Sequence, residues 1–159
     1  YHSEPRERYA GGLTPEQAER GKRLLRMISA VQFTLPGVPC VYYGDEAGID
    51  GGVDPFNRGC YPWGNEDEEL IAHYKFLGRL RKEHPVFKEG EFVPVSAALG
   101  CVAFERRGEG ERIMTVANRI EHPIVYVLPE EGWSSLTEER IGGRELYLGA
   151  ESTAILIFR

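Results

Sequence analysis

The sequence predicts an α+β chain in two parts: a helix–strand–loop–helix unit over residues 1–85 and an all-β, antiparallel domain over residues 86–159. Three observations predict it. Apolar residues recur with a 3.6-residue period in two stretches of the first half. Between those stretches lies a short β-branched and aromatic run, Val38-Pro39-Cys40-Val41-Tyr42-Tyr43, which reads as a buried strand. From Val86 onward the pattern changes to short alternating runs divided by glycine or charged turns. Several strands without intervening helices imply an antiparallel sandwich.

Residues Tyr1 to Gly12 are polar, charged and without periodicity, and read as a loop in which His2, beside Ser3 and Glu4, faces solvent. Thr14-Pro15-Glu16-Gln17 is a helix start: Thr14 caps, Pro15 suits the first helical position and Gln17 completes a capping box. Ala18, Gly21, Leu24, Leu25, Ile28, Val31 and Leu35 form the stripe, and Arg20, Lys22, Arg23 and Arg26 fall mostly off it, as a solvated face. Pro36 ends the helix near Thr34. The Val38–Tyr43 strand follows a two-proline turn, so helix and strand form the αβ half of a βαβ unit. Such a strand needs a neighbour on each side to satisfy its backbone. Asn65 or Asp67 caps a second helix running to about Lys82, with acids at its start and Lys75, Arg79, Arg81 and Lys82 toward its end, as the helix dipole favours. His73 lies within its apolar stripe as a packed or half-exposed side chain, and His84-Pro85 stops the helix. The boundary between the two parts falls near residues 85 to 90. The expected strands beyond it are Glu91 to Val95, Cys101 to Arg107, Arg112 to Asn118, Ile124 to Leu128, Glu145 to Leu148 and Thr153 to Phe158, with Arg107-Gly108-Glu109-Gly110 as a hairpin turn.

Composition narrows the function classes. Hydrophobic residues at 42% and charged residues at 28% describe an ordinary globular chain. A net charge of −6 argues against a nucleic-acid partner, because phosphate binding needs a basic face. No apolar run approaches the roughly 20 residues that span a bilayer, and no basic segment followed by an apolar one opens the chain as a signal peptide does. Cys40, Cys60 and Cys101 are an odd set without paired spacing. They read as free thiols of a reducing cytoplasm and supply no metal motif.

Chemistry concentrates in the loop after the Val38–Tyr43 strand. Gly44 closes that run, Asp45 and Glu46 follow, and a stretch dense in Gly, Asp, Pro and Asn leads to Tyr61-Pro62-Trp63. A buried strand that delivers acids, an Arg and aromatics onto an irregular loop is how α/β barrels build sites at their C-terminal rim. With 25 acidic residues, abundance selects none. Only Asp45, Glu46, Asp50 and Asp54 are placed by the strand end. The same residues could instead bond backbone amides and nearby arginines, and Asp50 and Asp54 with loop carbonyls offer a weak calcium pattern that matches no EF-hand.

The run Leu35-Pro36-Gly37-Val38-Pro39 to Tyr42-Tyr43-Gly44-Asp45-Glu46, followed by Asp54-Pro55-x-x-Arg58 and Pro62-Trp63, resembles the last barrel strand and following loop of alpha-amylase-family glycoside hydrolases. The double glycine Gly51-Gly52 before Asp54-Pro55, and Arg58-x-Cys60-x-x-Trp63, resemble the neopullulanase, cyclomaltodextrinase and maltogenic amylase branch. The resemblance implies the last βα portion of a (β/α)8 barrel over residues 1–85, followed by the antiparallel β-sandwich C-terminal domain over 86–159. It implies a retaining hydrolase of α-1,4 or α-1,6 glucans or maltodextrins, with no cofactor. In that family the nucleophile, the acid/base and the third acid lie on earlier strands, so no catalytic residue is assigned within this chain, and the chain alone is expected to be inactive. Asp54 and Arg58 correspond to a pair that contacts glucose hydroxyls, and Trp63 to a ring that stacks on sugar. Asp45 and Glu46 are expected to shape the strand end. The alternative is a non-catalytic glucan-binding or structural module; an unrelated helix-plus-sandwich protein accounts poorly for the ordered motif. Barrel-facing surfaces left uncovered are expected to promote self-association.

Overall fold

A computed structural model describes residues 13–51, 56–98 and 100–159. The expected loop over 1–12 with His2, and Asp54, lie outside the described residues. Helix α1 (Pro15–Thr34) begins with the expected capping box: Thr14 Oγ1 accepts from the Gln17 amide at 3.3 Å, and the Thr14 amide donates to the Gln17 side chain at 3.0 Å. Helix α2 (Glu68–Glu83) is capped by Asp67, not Asn65, through its carboxylate on the Leu70 amide at 2.9 Å. His84-Pro85 stops α2, and a single turn not foreseen from sequence, α3 (Val86–Glu89), intervenes before the sheets.

Among the described residues eight strands follow: β1 (Glu91–Ala98), β2 (Cys101–Gly108), β3 (Glu111–Asn118), β4 (Ile124–Val127), β5 (Trp133–Ser135), β6 (Ile141–Gly142), β7 (Glu145–Leu148) and β8 (Ser152–Phe158). They form a five-stranded antiparallel sheet, β1-β2-β3-β8-β5, and a three-stranded one, β4-β7-β6. The six strands expected from alternation are present. β5 and β6, three and two residues long, are too short to carry a legible period.

The large sheet is the middle of three layers. Met114, Val116, Ala154 and Leu156 face the small sheet and pack with Leu128, Trp133, Leu146 and Leu148. On the opposite face Ile113 and Ile155 meet Ala30 and Phe33 of α1, Leu77 and Leu80 of α2, and Val86 and Phe87 of α3. Central strands β3 and β8 are therefore covered on both sides, which is why their sequences run apolar instead of alternating with charge. Each large apolar side chain in these clusters contributes about 1.5–3 kcal/mol relative to exposure.

Polar side chains join the layers. Arg106 on β2, only 2% exposed, donates to the carbonyls of Thr34 (3.2 Å), Phe87 (3.0 Å) and Gly90 (2.7 Å). These groups lie at the C-terminal ends of α1 and α3, where helix dipoles concentrate negative charge. The expected solvated face of α1 is instead a latch. Arg20 and Arg23 reach the buried Glu151 carboxylate at 2.8 and 3.3 Å, Lys22 reaches Asp67 at 2.6 Å, and Arg26 reaches Glu69 at 2.7 Å. The charges sit off the apolar stripe, as helical periodicity requires, but the β7–β8 turn and α2 come up to meet them.

One expectation is corrected here. Val38–Tyr43 is not a strand: it joins no sheet and is largely exposed, with Val38 at 92%. No strand runs beside it among the described residues, so its N–H and C=O groups have no ladder to join.

Candidate functional site

The segment that follows α1 is held at its start by α2. Arg81 donates to the carbonyls of Phe33 (2.7 Å), Leu35 (3.4 Å) and Gly37, and Gln32 Nε2 donates to the Cys40 carbonyl at 2.9 Å. A 3-10 turn, Asp45–Ala47, is flanked by Gly44 and Gly48 at φ 93° and 72°. A Cβ on Gly44 would also stand 2.3 Å from Ile49 Cδ1, so the position requires glycine on both counts.

The four candidate acids separate in the structure. Glu46 folds back onto the Gly44 amide at 2.9 Å, and Asp50 accepts from the Leu13 amide at 3.1 Å. Asp45 is partly buried, and that burial, reinforced by the neighbouring Glu46 charge, holds its carboxyl above the usual aspartate range. Glu46 and Asp50 thus shape the loop. Asp54 lies outside the described residues. Arg58 ends a second 3-10 turn, Phe56–Arg58, with its side chain exposed. Trp63 is 80% exposed, and its ring lies 4.5 Å from that of Tyr61.

Tyr42, Tyr43, Asp45, Ile49 and Asn57 line a cleft of about 320 Å3. The tyrosine rings are 5.0 Å apart, and Tyr43 Oη donates to the Gly59 carbonyl at 3.0 Å, tying the two arms of the loop together. Asn57 Oδ1 is buried without a hydrogen-bond partner among the described residues. Two tyrosines beside a partly buried carboxyl make a surface suited to stacking and hydrogen bonding. Sequence reading missed Tyr42, Tyr43 and Asn57 as site residues, because it placed the tyrosines inside a buried strand; the Tyr-Tyr pair next to a Gly-Asp turn was the available signal. Among the described residues no group of three or more His, Cys, Asp or Glu side chains is arranged to hold a metal ion.

No protein-family model matches the chain. A cyclomaltodextrinase of a Bacillus species is 38% identical over 106 residues, which is 64% of this chain and 19% of that protein. A maltogenic alpha-amylase of Bacillus acidopullulyticus is 32% identical over 148 residues, 84% of this chain and 25% of that protein. Among solved structures, a cyclomaltodextrinase superposes with a TM-score of 0.76 at 28% identity, over 93% of this chain and 28% of that one. The chain thus spans between about a fifth and somewhat over a quarter of the length of these relatives. Its antiparallel sheets match the C-terminal domain of such structures, while the described residues contain no barrel strand. In sequence and fold the chain corresponds to a C-terminal part of the alpha-amylase family of glycoside hydrolases, on the branch of the cyclomaltodextrinases and maltogenic amylases.

Proposed function

We propose that the chain contributes a glucan-contacting loop and a β-sandwich domain to a glycoside hydrolase that cleaves α-1,4 or α-1,6 bonds of glucans or maltodextrins. The mechanism is retaining: one carboxylate attacks the sugar, an acid protonates the leaving oxygen, and water then releases the glycosyl intermediate. Neither carboxylate is assigned to this chain, and the chain by itself is inactive. Residues 1–85 serve the barrel side of the molecule and residues 86–159 the C-terminal domain. Asp54 and Arg58 contact glucose hydroxyls, Arg58 through its fork of donors, and Trp63 stacks on a sugar ring.

The observation that carries this reading is the aromatic cleft of Tyr42 and Tyr43 on the same loop as Arg58 and the exposed Trp63. No nucleic acid or membrane is a partner. No helix among the described residues is long and apolar enough to cross a bilayer. The three free cysteines, two of them exposed, favour the cytoplasm. Exposed Ile28, Val38, Val41 and Tyr43 favour self-association of the isolated chain.

Calorimetric titration with maltoheptaose tests the loop. Saturable binding that disappears in Arg58→Ala and weakens in Trp63→Ala supports the reading. Absence of binding moves a purely structural role to first place, and release of glucose or maltose from maltodextrin by the chain alone refutes its inactivity. The second reading, a non-catalytic glucan-binding module, is favoured by the commitment of Glu46 and Asp50 to backbone amides.

A further inference from the structure

The arm of the loop that carries Arg58, Tyr61 and Trp63 is fastened at two points. At its start the Tyr43 hydroxyl donates to the Gly59 carbonyl at 3.0 Å, across 16 residues of chain. At its end the Asp67 amide donates to the Ala47 carbonyl at 3.0 Å. Between these points the Trp63 amide donates to the Tyr61 carbonyl at 3.0 Å and the Asn65 amide to the Pro62 carbonyl at 2.8 Å. Those two bonds shape the arm without tying it to the rest of the molecule.

The two fastenings differ in kind. Asp67 caps α2, and its carboxylate accepts from the Leu70 amide at 2.9 Å and meets Lys22 of α1 at 2.6 Å. A Cβ on Gly48 would stand 3.1 Å from Asp67 Cβ and 3.2 Å from Leu70 Cδ1, so the Asp45–Ala47 turn packs closely on the start of α2. The end of the arm is thus built into both long helices. Its start depends on one hydroxyl, on a ring that is 48% exposed, meeting one carbonyl.

The ground under Tyr43 is nevertheless firm. Gly44, next in the chain, is held at φ 93° with Ile49 filling the space a Cβ would need, and the Ile49 amide donates to the Gly44 carbonyl at 3.0 Å. The Tyr43 ring packs on that of Tyr42. Ile49 also faces the arm, since a Cβ on Gly59 would lie 3.9 Å from Ile49 Cγ2. An apolar contact of this sort limits approach but has no direction, whereas the hydroxyl–carbonyl bond fixes an orientation. The single proton of the Tyr43 hydroxyl is committed to Gly59, so it is not offered to a ligand. Arg58 immediately precedes the tethered Gly59, and a guanidinium fork recognises a partner only when its plane is aimed.

We infer that Tyr43 is a positioning residue: its hydroxyl, acting through the Gly59 carbonyl, holds the Arg58–Trp63 arm in its binding geometry before a ligand arrives. The inference rests on the loop reading proposed above and adds the residue that pre-organises that loop.

The test uses the whole chain as wild type, Tyr43→Phe, Tyr126→Phe, Trp63→Ala and the double variant Tyr43→Phe/Trp63→Ala. Maltoheptaose calorimetry reads affinity, and NMR relaxation reads backbone order at residues 59–63. Tyr43→Phe keeps the ring and removes only the hydroxyl. Tyr126→Phe removes a comparable hydroxyl, 2.9 Å from Ser96 Oγ on the sandwich, and is the control. Tyr43→Phe is expected to weaken binding about two- to tenfold, the range that one neutral hydrogen bond spans. It should also lower order at 59–63 and leave the Tm unchanged, while Tyr126→Phe changes neither affinity nor order at 59–63. The loss caused by Tyr43→Phe should shrink in the Trp63→Ala background, because a residue that acts through the arm loses effect with the arm's own side chain. Equal losses in both backgrounds, weaker binding with unchanged order at 59–63, or a Tyr43→Phe variant identical to wild type would each overturn the positioning role and leave the loop reading intact. A wild-type chain that takes up no maltoheptaose overturns the loop reading and this role with it.

Discussion

Arg106→Met separates two opposing effects at the junction of the helices and the large sheet. The native guanidinium is 2% exposed and has no carboxylate partner among the described residues; burial, and then the charge of Arg81, pull its pKa below the usual arginine range. Its Nε is also without a hydrogen-bond partner. Removing an uncompensated buried cation often stabilises a protein. Against that stand three carbonyls, of Thr34, Phe87 and Gly90, that the methionine would leave without this donor. Each buried acceptor left without a donor costs about 1–3 kcal/mol, a total of roughly 3–9 kcal/mol. Relief of the buried charge offsets several kcal/mol of this, but the carbonyls cluster at helix C-termini, whose dipoles already stabilise the cation. The expected net loss is about 3 kcal/mol, which for a chain of this size lowers the Tm by roughly 6–12 °C. Arg106→Lys should recover less than half, because an ammonium lacks the planar fork that reaches three separated acceptors. Urea denaturation followed by fluorescence and by circular dichroism measures both variants. Stability of Arg106→Met equal to or above the wild type would refute the argument that the helix-end carbonyls, and not the desolvated charge, decide the sign.

Two further outcomes follow from the packing. Burial, and then the Arg26 charge, lower the folded His73 pKa from the usual 6.5 to about 4, so the unfolded chain takes up a proton first. The stability this preserves is complete above pH 6.5 and is lost as pH falls from 6.5 toward 4. The ceiling is about 3.4 kcal/mol, and screening of a partly exposed ring reduces the expected loss to about 1–2 kcal/mol. The wild type should therefore lose that much more than His73→Gln between pH 7 and 4.5 in urea melts, and parallel curves would exclude the role. Gly90→Ala tests the α3–β2 contact. A Cβ there would lie 2.5 Å from the Val86 carbonyl oxygen and 2.9 Å from that of Arg107, and neither backbone atom yields easily. A loss of about 2 kcal/mol or more is expected, and a neutral result in thermal melts would mean that α3 is free to shift.

What the sequence determined by itself was local. The Thr14-Pro15-x-Gln17 box, a cap at Asn65 or Asp67, and the prolines at 36 and 85 start or terminate helices through bonds and clashes within four residues, so both long helices were legible to within a residue or two, and the structure chose Asp67. Short apolar runs bounded by glycine or charged turns marked the longer strands in the same way, even where burial on both faces removes the alternation. The ordered motif from Leu35 to Trp63 was enough to indicate the family.

The tertiary structure decided everything that depends on a distant partner. Val38–Tyr43 has strand composition, but a strand exists only beside another, so its tyrosines stand in an exposed cleft instead of a core. Arg20 and Arg23 look like surface charge until the β7–β8 turn brings Glu151 under them, more than 120 residues away. Arg106 sits on β2 like any strand residue, and only the packing of two helix ends against β2 makes it a buried cation that ties the helices to the large sheet. A groove by His73 is likewise invisible in sequence, since its walls come from two helices and two loops that meet only after the sheet has formed. Periodicity and capping report which face a residue takes; they carry no information on what will be brought to that face, because chain entropy and burial are settled by the whole fold at once.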